Sequence, residues 1–134
     1  MAAVGLRVKT GKTLAIAITG AATSPRALLR EQVALADPAE PASSFPYHLE
    51  LEGQPKAAEA MVRRVRRLGA SALQRLFKSV SEHERIESIT VIVNTHTPPE
   101  RITSPHMRAH GKEGWLFREI CEQAAEKYGV EPLT

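Results

Sequence analysis

Ser88-Ile89-Thr90-Val91-Ile92-Val93 is the stretch on which the fold turns. All of it but Ser88 is β-branched, and it holds no Lys, Pro or Gly. Such a run predicts a strand buried on both faces. A helix is predicted immediately before it, over Gln54–His83. Met61, Val65, Leu68, Ala72, Leu76 and Val80 recur there at spacings of three and four, with Val62, Gly69 and Leu73 beside them. A helix that feeds a buried strand implies a parallel crossover. Gly69 costs about 1 kcal/mol against Ala inside a helix, so it marks a close approach to the sheet or a break.

Working outward, the first third of the chain reads as a meander. Val4–Lys9 and Thr13–Thr19 are predicted strands joined by a Gly-containing turn. Gly20–Pro25 is a second turn, and Arg26–Ala36 a third, antiparallel strand. Asp37–Gly53 breaks the pattern, because Pro38, Pro41 and Pro46 cannot sit in a ladder. Phe45, Tyr47, Leu49 and Leu51 predict that this connection packs down. After the decisive strand, Asn94–Thr103 is a loop. Ser104 is an N-cap and Pro105 a first helical residue. The last helix runs to about Tyr128 and stops at Gly129.

The 134 residues make one domain, 1–134, with globular composition: 43% hydrophobic and 25% charged. The longest uninterrupted apolar run, Leu14–Ile18, is too short to span a bilayer. The first residues show no signal-peptide pattern. A lone cysteine, Cys121, excludes an intrachain disulfide and a multi-cysteine metal site. These features fit a reducing cytoplasm. Charge comes in blocks: +4 over residues 1–36, −4 over 37–60, +5 over 61–85 and −2 over 86–134. The third block contains Arg63-Arg64-Val65-Arg66-Arg67, which reads as a solvated helix face beside an acidic loop in preference to a nucleic-acid groove.

The order β-β-β-α-β-α resembles the first part of the ribonuclease-H-like, also actin-like, sheet. Gly5-Leu6-Arg7-Val8-Lys9-Thr10-Gly11-Lys12-Thr13-Leu14-Ala15-Ile16 looks like the first hairpin of that superfamily. Pro105-His-Met-Arg-Ala-His-Gly-Lys-Glu-Gly-Trp-Leu-Phe-Arg118 resembles a family of bacterial proteins with the same layout, whose motifs carry no known activity. The resemblance implies an α/β fold with a mixed sheet in order 3-2-1-4 and helices packed on its faces. It also implies a fifth strand beginning where this sequence ends, at Gly129–Thr134. Nucleases of the superfamily carry an Asp in strand one and further carboxylates that hold divalent metal. Here strand one offers Arg7 and Lys9, strand four ends in Asn94, and no acidic residue precedes Glu31. Metal-dependent nuclease activity is therefore not expected.

Thr10-Gly11-Lys12-Thr13 is not a P-loop, because Gly5 lies one residue too far from Gly11 and a strand follows. It can still hold an anion on its turn amides. The fold brings the ends of strands one and four to one edge, where open α/β sheets bind ligands. A helix N-terminus there favours anions. The expected anion site is Lys9, Thr10, Gly11, Lys12, Asn94, His96, His106 and Arg108. His106, His110 and Glu113 share one helix face at a spacing that paired histidines use for zinc. They lack the H-E-x-x-H pattern, and His110 reads as a packed histidine, so no metal and no cofactor is expected. The leading reading is a non-catalytic or cryptic ribonuclease-H-like domain with an anion- or nucleotide-binding crevice, and the expected partners are nucleotide, phosphate or nucleic acid. The alternatives are a nuclease or hydrolase using His96, His106 and His110, and a dimeric interaction module. A homodimer is expected if Ser88–Val93 is a bare sheet edge; the connection or the tail covering that edge is the competing expectation.

Overall fold

The computed structural model describes residues 1–94 and 97–134. Three strands, β1 (Ala2–Lys9), β2 (Lys12–Thr19) and β3 (Arg26–Ala34), form an antiparallel meander. A 3₁₀ turn at Pro41–Ser44 and a single helical turn, α1 (His48–Leu51), lead into the long helix α2 (Pro55–Ser81). Then come β4 (Ile86–Ile92), a second 3₁₀ turn at Pro99–Arg101, and α3 (Pro105–Tyr128). The sheet order is β3-β2-β1-β4. β4 runs parallel to β1, with Val4 opposite Ile89 and Leu6 opposite Val91. Strand order and pairing directions are those of the ribonuclease-H-like fold. No helix among the described residues is long and apolar enough to cross a membrane.

Alternation along the strands sets the layers. Val4, Leu6 and Val8 of β1, Ala15 and Ala17 of β2, and Ile89 and Val91 of β4 are buried on one face. On that face α2 contributes Val65, Leu73, Leu76, Phe77 and Val80, and α3 contributes Leu116, Phe117, Ile120 and Cys121. The opposite face is uncovered: Ile16 is 41% and Ile92 47% exposed. The expectation that β4 is buried on both faces is thus corrected. Both long helices stack on one side, and β4 alternates like an ordinary half-buried strand.

The strand ends also shift. β3 stops at Ala34, not Ala36, because the amides of Leu35 and Ala36 both donate to the Gly11 carbonyl, at 2.9 and 3.1 Å. β4 begins two residues early, at Ile86, whose side chain is buried in the core. α3 starts and stops where its caps direct. Ser104 accepts from the Met107 amide, and Gly129 takes a left-handed conformation with φ of 103°.

Gly69 is a close approach, but to α3 and not to the sheet. A Cβ there would lie 2.6 Å from Cγ2 of Ile120 and 3.4 Å from the Leu35 carbonyl oxygen. The 37–53 connection packs down through Tyr47, which lies against the core, while Phe45 at 39% and Leu51 at 45% stay exposed, contrary to the expectation for them. Arg64 of α2 ties into it through ion pairs with Asp37, at 2.6 Å, and with Glu40. The arginine run is therefore partly neutralised by the acidic block that precedes it, as its reading as a helix face requires.

The edge of β4 is not bare. The Val91 amide donates to the Leu133 carbonyl at 2.7 Å, and the Leu133 amide to the Ile89 carbonyl at 2.9 Å. Thr90 and Leu133 form a parallel bridge. The tail occupies the place of a fifth strand, so an unprotected Ser88–Val93 edge gives no ground for dimerisation.

Candidate anion crevice and histidine cluster

The residues expected to converge divide between separate places. Lys9, Thr10 and Asn94 do meet, in a crevice of about 420 Å³ at the C-terminal ends of β1 and β4. Arg7 and Val8 of β1, Val93 next to Asn94, and Gly114, Trp115 and Arg118 of α3 complete its lining. Gly11 and Lys12 do not line it. Gly11 is buried at φ of 77°, and a Cβ there would lie 2.2 Å from Ser44 Oγ. The turn is packed beneath the first 3₁₀ segment, with its carbonyl already bonded to Leu35 and Ala36.

Three cationic residues line the crevice, and no carboxylate does so among the described residues. Arg7 and Lys9 take part in none of the ion pairs found among the described residues. Arg118 lies with its guanidinium carbon 4.5 Å from the centroid of the Trp115 ring. Its Nε is 3.4 Å from Glu122 Oε1, but Nε and Nη1 are both buried without a hydrogen-bond partner. Buried guanidinium donors left unsatisfied favour an incoming acceptor. Trp115 is the single tryptophan, and its indole N–H donates to the Thr97 carbonyl at 3.0 Å.

A two-metal nuclease site at this edge would need clustered carboxylates. Here the edge carries Arg7, Lys9, Arg118 and Asn94, a donor set that repels divalent cations and attracts phosphate. The residues do not fit a carboxylate-held metal pair.

Arg108 goes elsewhere. Its Nε donates to the Ile102 carbonyl at 2.8 Å, and it borders a larger cavity with Tyr47, Arg66, Lys112 and Glu119. The charges around that cavity are largely spoken for, since Arg66 pairs with Glu119 at 2.9 Å and Lys112 with Glu50 at 3.3 Å. His96 lies outside the described residues.

His106 and His110 do not line the crevice and instead cluster with His48 of α1. Their Nε2 atoms are 3.1 Å apart. Glu113, one turn further along α3, is completely buried. Its Oε2 accepts from His48 Nδ1 at 2.8 Å and from the Tyr47 amide at 3.1 Å. His110 is therefore not the core histidine its spacing suggests, but an exposed member of a three-imidazole group. His48 carries no local signal, because it sits in a proline-rich connection without periodicity. Cys121 is chemically silent: burial, with a smaller push from Glu122, drives its thiol up to about 12 against a weaker opposing bond to Thr13.

Neither protein-family models nor curated proteins give a match to this chain. Two solved structures of RuvC from Thermus thermophilus align with 98% of it, at 17% sequence identity and a TM-score of 0.49. One of them is in complex with a Holliday junction substrate. The chain spans about three fifths of their length: 62% of one and 61% of the other. The likeness is one of chain course, and the fold assignment rests on the strand order and pairing directions.

Proposed function

We propose that this chain is a non-catalytic ribonuclease-H-like domain that binds a phosphate-bearing ligand, a nucleotide or a nucleic-acid backbone, in the crevice between β1, β4 and α3. The observation that carries this reading is the grouping of Arg7, Lys9 and Arg118 around one cleft, with no carboxylate among its described lining residues. Exposed charge pairs contribute about 0.2–1 kcal/mol each, and hydrogen bonds to a charged group about 1.5–3 kcal/mol. Two exposed cations and one sheltered guanidinium therefore place a lone phosphate near the millimolar range. A strand that also lays a base on Trp115 gains about 1–3 kcal/mol more. The sequence alternative of hydrolysis at His96, His106 and His110 finds no support in this crevice, because His106 and His110 lie outside it.

The test is binding of pyrophosphate, ATP and a fluorescent oligothymidylate to the parent and to the Lys9→Gln, Arg118→Gln and Arg63→Gln variants. Lys9→Gln, which loses one exposed charge, should weaken binding about two- to fivefold, and Arg118→Gln, which loses a sheltered charge-assisted bond, about tenfold or more. Arg63→Gln, on the outer face of α2, should leave it unchanged. Affinity should fall steeply with salt. Loss of binding in Arg63→Gln with retention in the other two would overturn the reading. The three probes show whether phosphate alone, a nucleotide or a strand is preferred.

A further inference from the structure

We propose that His48, His106 and His110 form a zinc site that fastens α1 to the start of α3. Each offers one ring nitrogen, and the three nitrogens all lie within 4.8 Å of one another. Zinc–imidazole bonds of about 2.0–2.1 Å at a tetrahedral angle put ligand nitrogens about 3.3–3.4 Å apart. The His106 and His110 Nε2 atoms already stand 3.1 Å apart, as neighbours one helical turn from each other can. His106 and His110 are exposed, so small side-chain rotations bring the third nitrogen into range.

Glu113 is the second, independent observation. A fully buried carboxylate is costly unless something charged or strongly donating answers it. Its Oε2 has two partners, but its Oε1 has none. The bond from His48 Nδ1 to the carboxylate leaves its Nε2 as the ring's free lone-pair donor. His110 Nδ1 stands 3.8 Å from the unpartnered Oε1, close enough to bond it after a small ring shift. Carboxylates behind metal-bound histidines orient the rings and raise their basicity in this way. Phe45 packs edge-on against His48 and His110, at centroid distances of 5.4 and 6.4 Å, and screens one side of the cluster. Three imidazoles select zinc or a similar borderline cation over magnesium or calcium. They leave a fourth position for water.

The test uses the full chain without a histidine tag, titrated calorimetrically with zinc chloride. One equivalent should bind, and zinc should raise the unfolding temperature, an effect reversed by chelator. His48→Gln, His106→Gln and His110→Gln should each weaken binding about 100-fold or more. Glu113→Gln should weaken it about 10–100-fold. His83→Gln, on a histidine outside the cluster, should change nothing. Because His106 and His110 are exposed, their variants fold even if Glu113→Gln does not. Affinity within about threefold of the parent in the His106 and His110 variants, or its loss in His83→Gln, would overturn the site.

Discussion

Asp37 shows how much a single side chain organises here. Its carboxylate accepts from the Ala39 amide at 2.9 Å and pairs with Arg64 at 2.6 Å, closing the turn that follows β3. The Ala39 bond first, and Arg64 second, hold its pKa below the ordinary carboxylate value. A depressed native pKa stabilises the fold above the unfolded value and loses that contribution as pH falls through the native one. Asp37→Asn should therefore be less stable than the parent at neutral pH. The gap should narrow below about pH 4. Equilibrium denaturation of both proteins across that range checks it, and a gap that stays constant into strong acid would contradict it. At this scale some residues were visible in advance and others were not. Lys9, Thr10 and Asn94 follow from strand ends that meet at one edge. Arg118 and His48 do not, because their roles depend on which side of α3 faces the sheet and where a proline-rich connection comes to rest.

At the scale of elements, hydrophobic period was an accurate guide to what forms and a poorer guide to which side is covered. The Ser88–Val93 run, β-branched at five of its six positions, implied a strand with two buried faces, yet α2 and α3 share one side of the sheet and Ile92 is 47% exposed. β-branching reports a pleated backbone, and the number of helices that cover it is a tertiary matter. Gly69 makes the helix–helix contact possible. Gly69→Ala gains about 1 kcal/mol of helix propensity. It also presses a methyl group to 2.6 Å from Ile120 Cγ2, and Ile120 is itself buried. Overpacking of this kind costs about 1–3 kcal/mol. The net effect should be destabilisation by about 1 kcal/mol, and a variant that melts higher than the parent would refute the close-contact account. The tail is a second element with a specific role. Deleting Leu133 and Thr134 should speed hydrogen exchange of the Val91 amide about tenfold or more, since that amide bonds the Leu133 carbonyl. Unchanged exchange would show that the tail does not protect the edge.

Across the whole molecule, charge is sorted by place. The acidic block over residues 37–60 answers part of the arginine-rich helix through Asp37 and Glu40. Of the cations at the β1–β4 edge, Arg118 lies 3.4 Å from Glu122, while Arg7 and Lys9 take part in none of the ion pairs found among the described residues. A net charge of +3 understates that local field. Arg7, Lys9, Arg118 and Asn94 at this edge form a donor set that suits an anion and not a divalent cation. Trp115 places a reporter in the same crevice. Following its indole N–H signal by NMR during titration with pyrophosphate is the most direct measurement. A saturable shift of the Trp115 signal and of the Lys9, Thr10 and Asn94 amides, moved to about tenfold or higher pyrophosphate concentration in Arg118→Gln, is the predicted result. Shifts confined to Arg63–Arg67, with Trp115 unmoved, would contradict it.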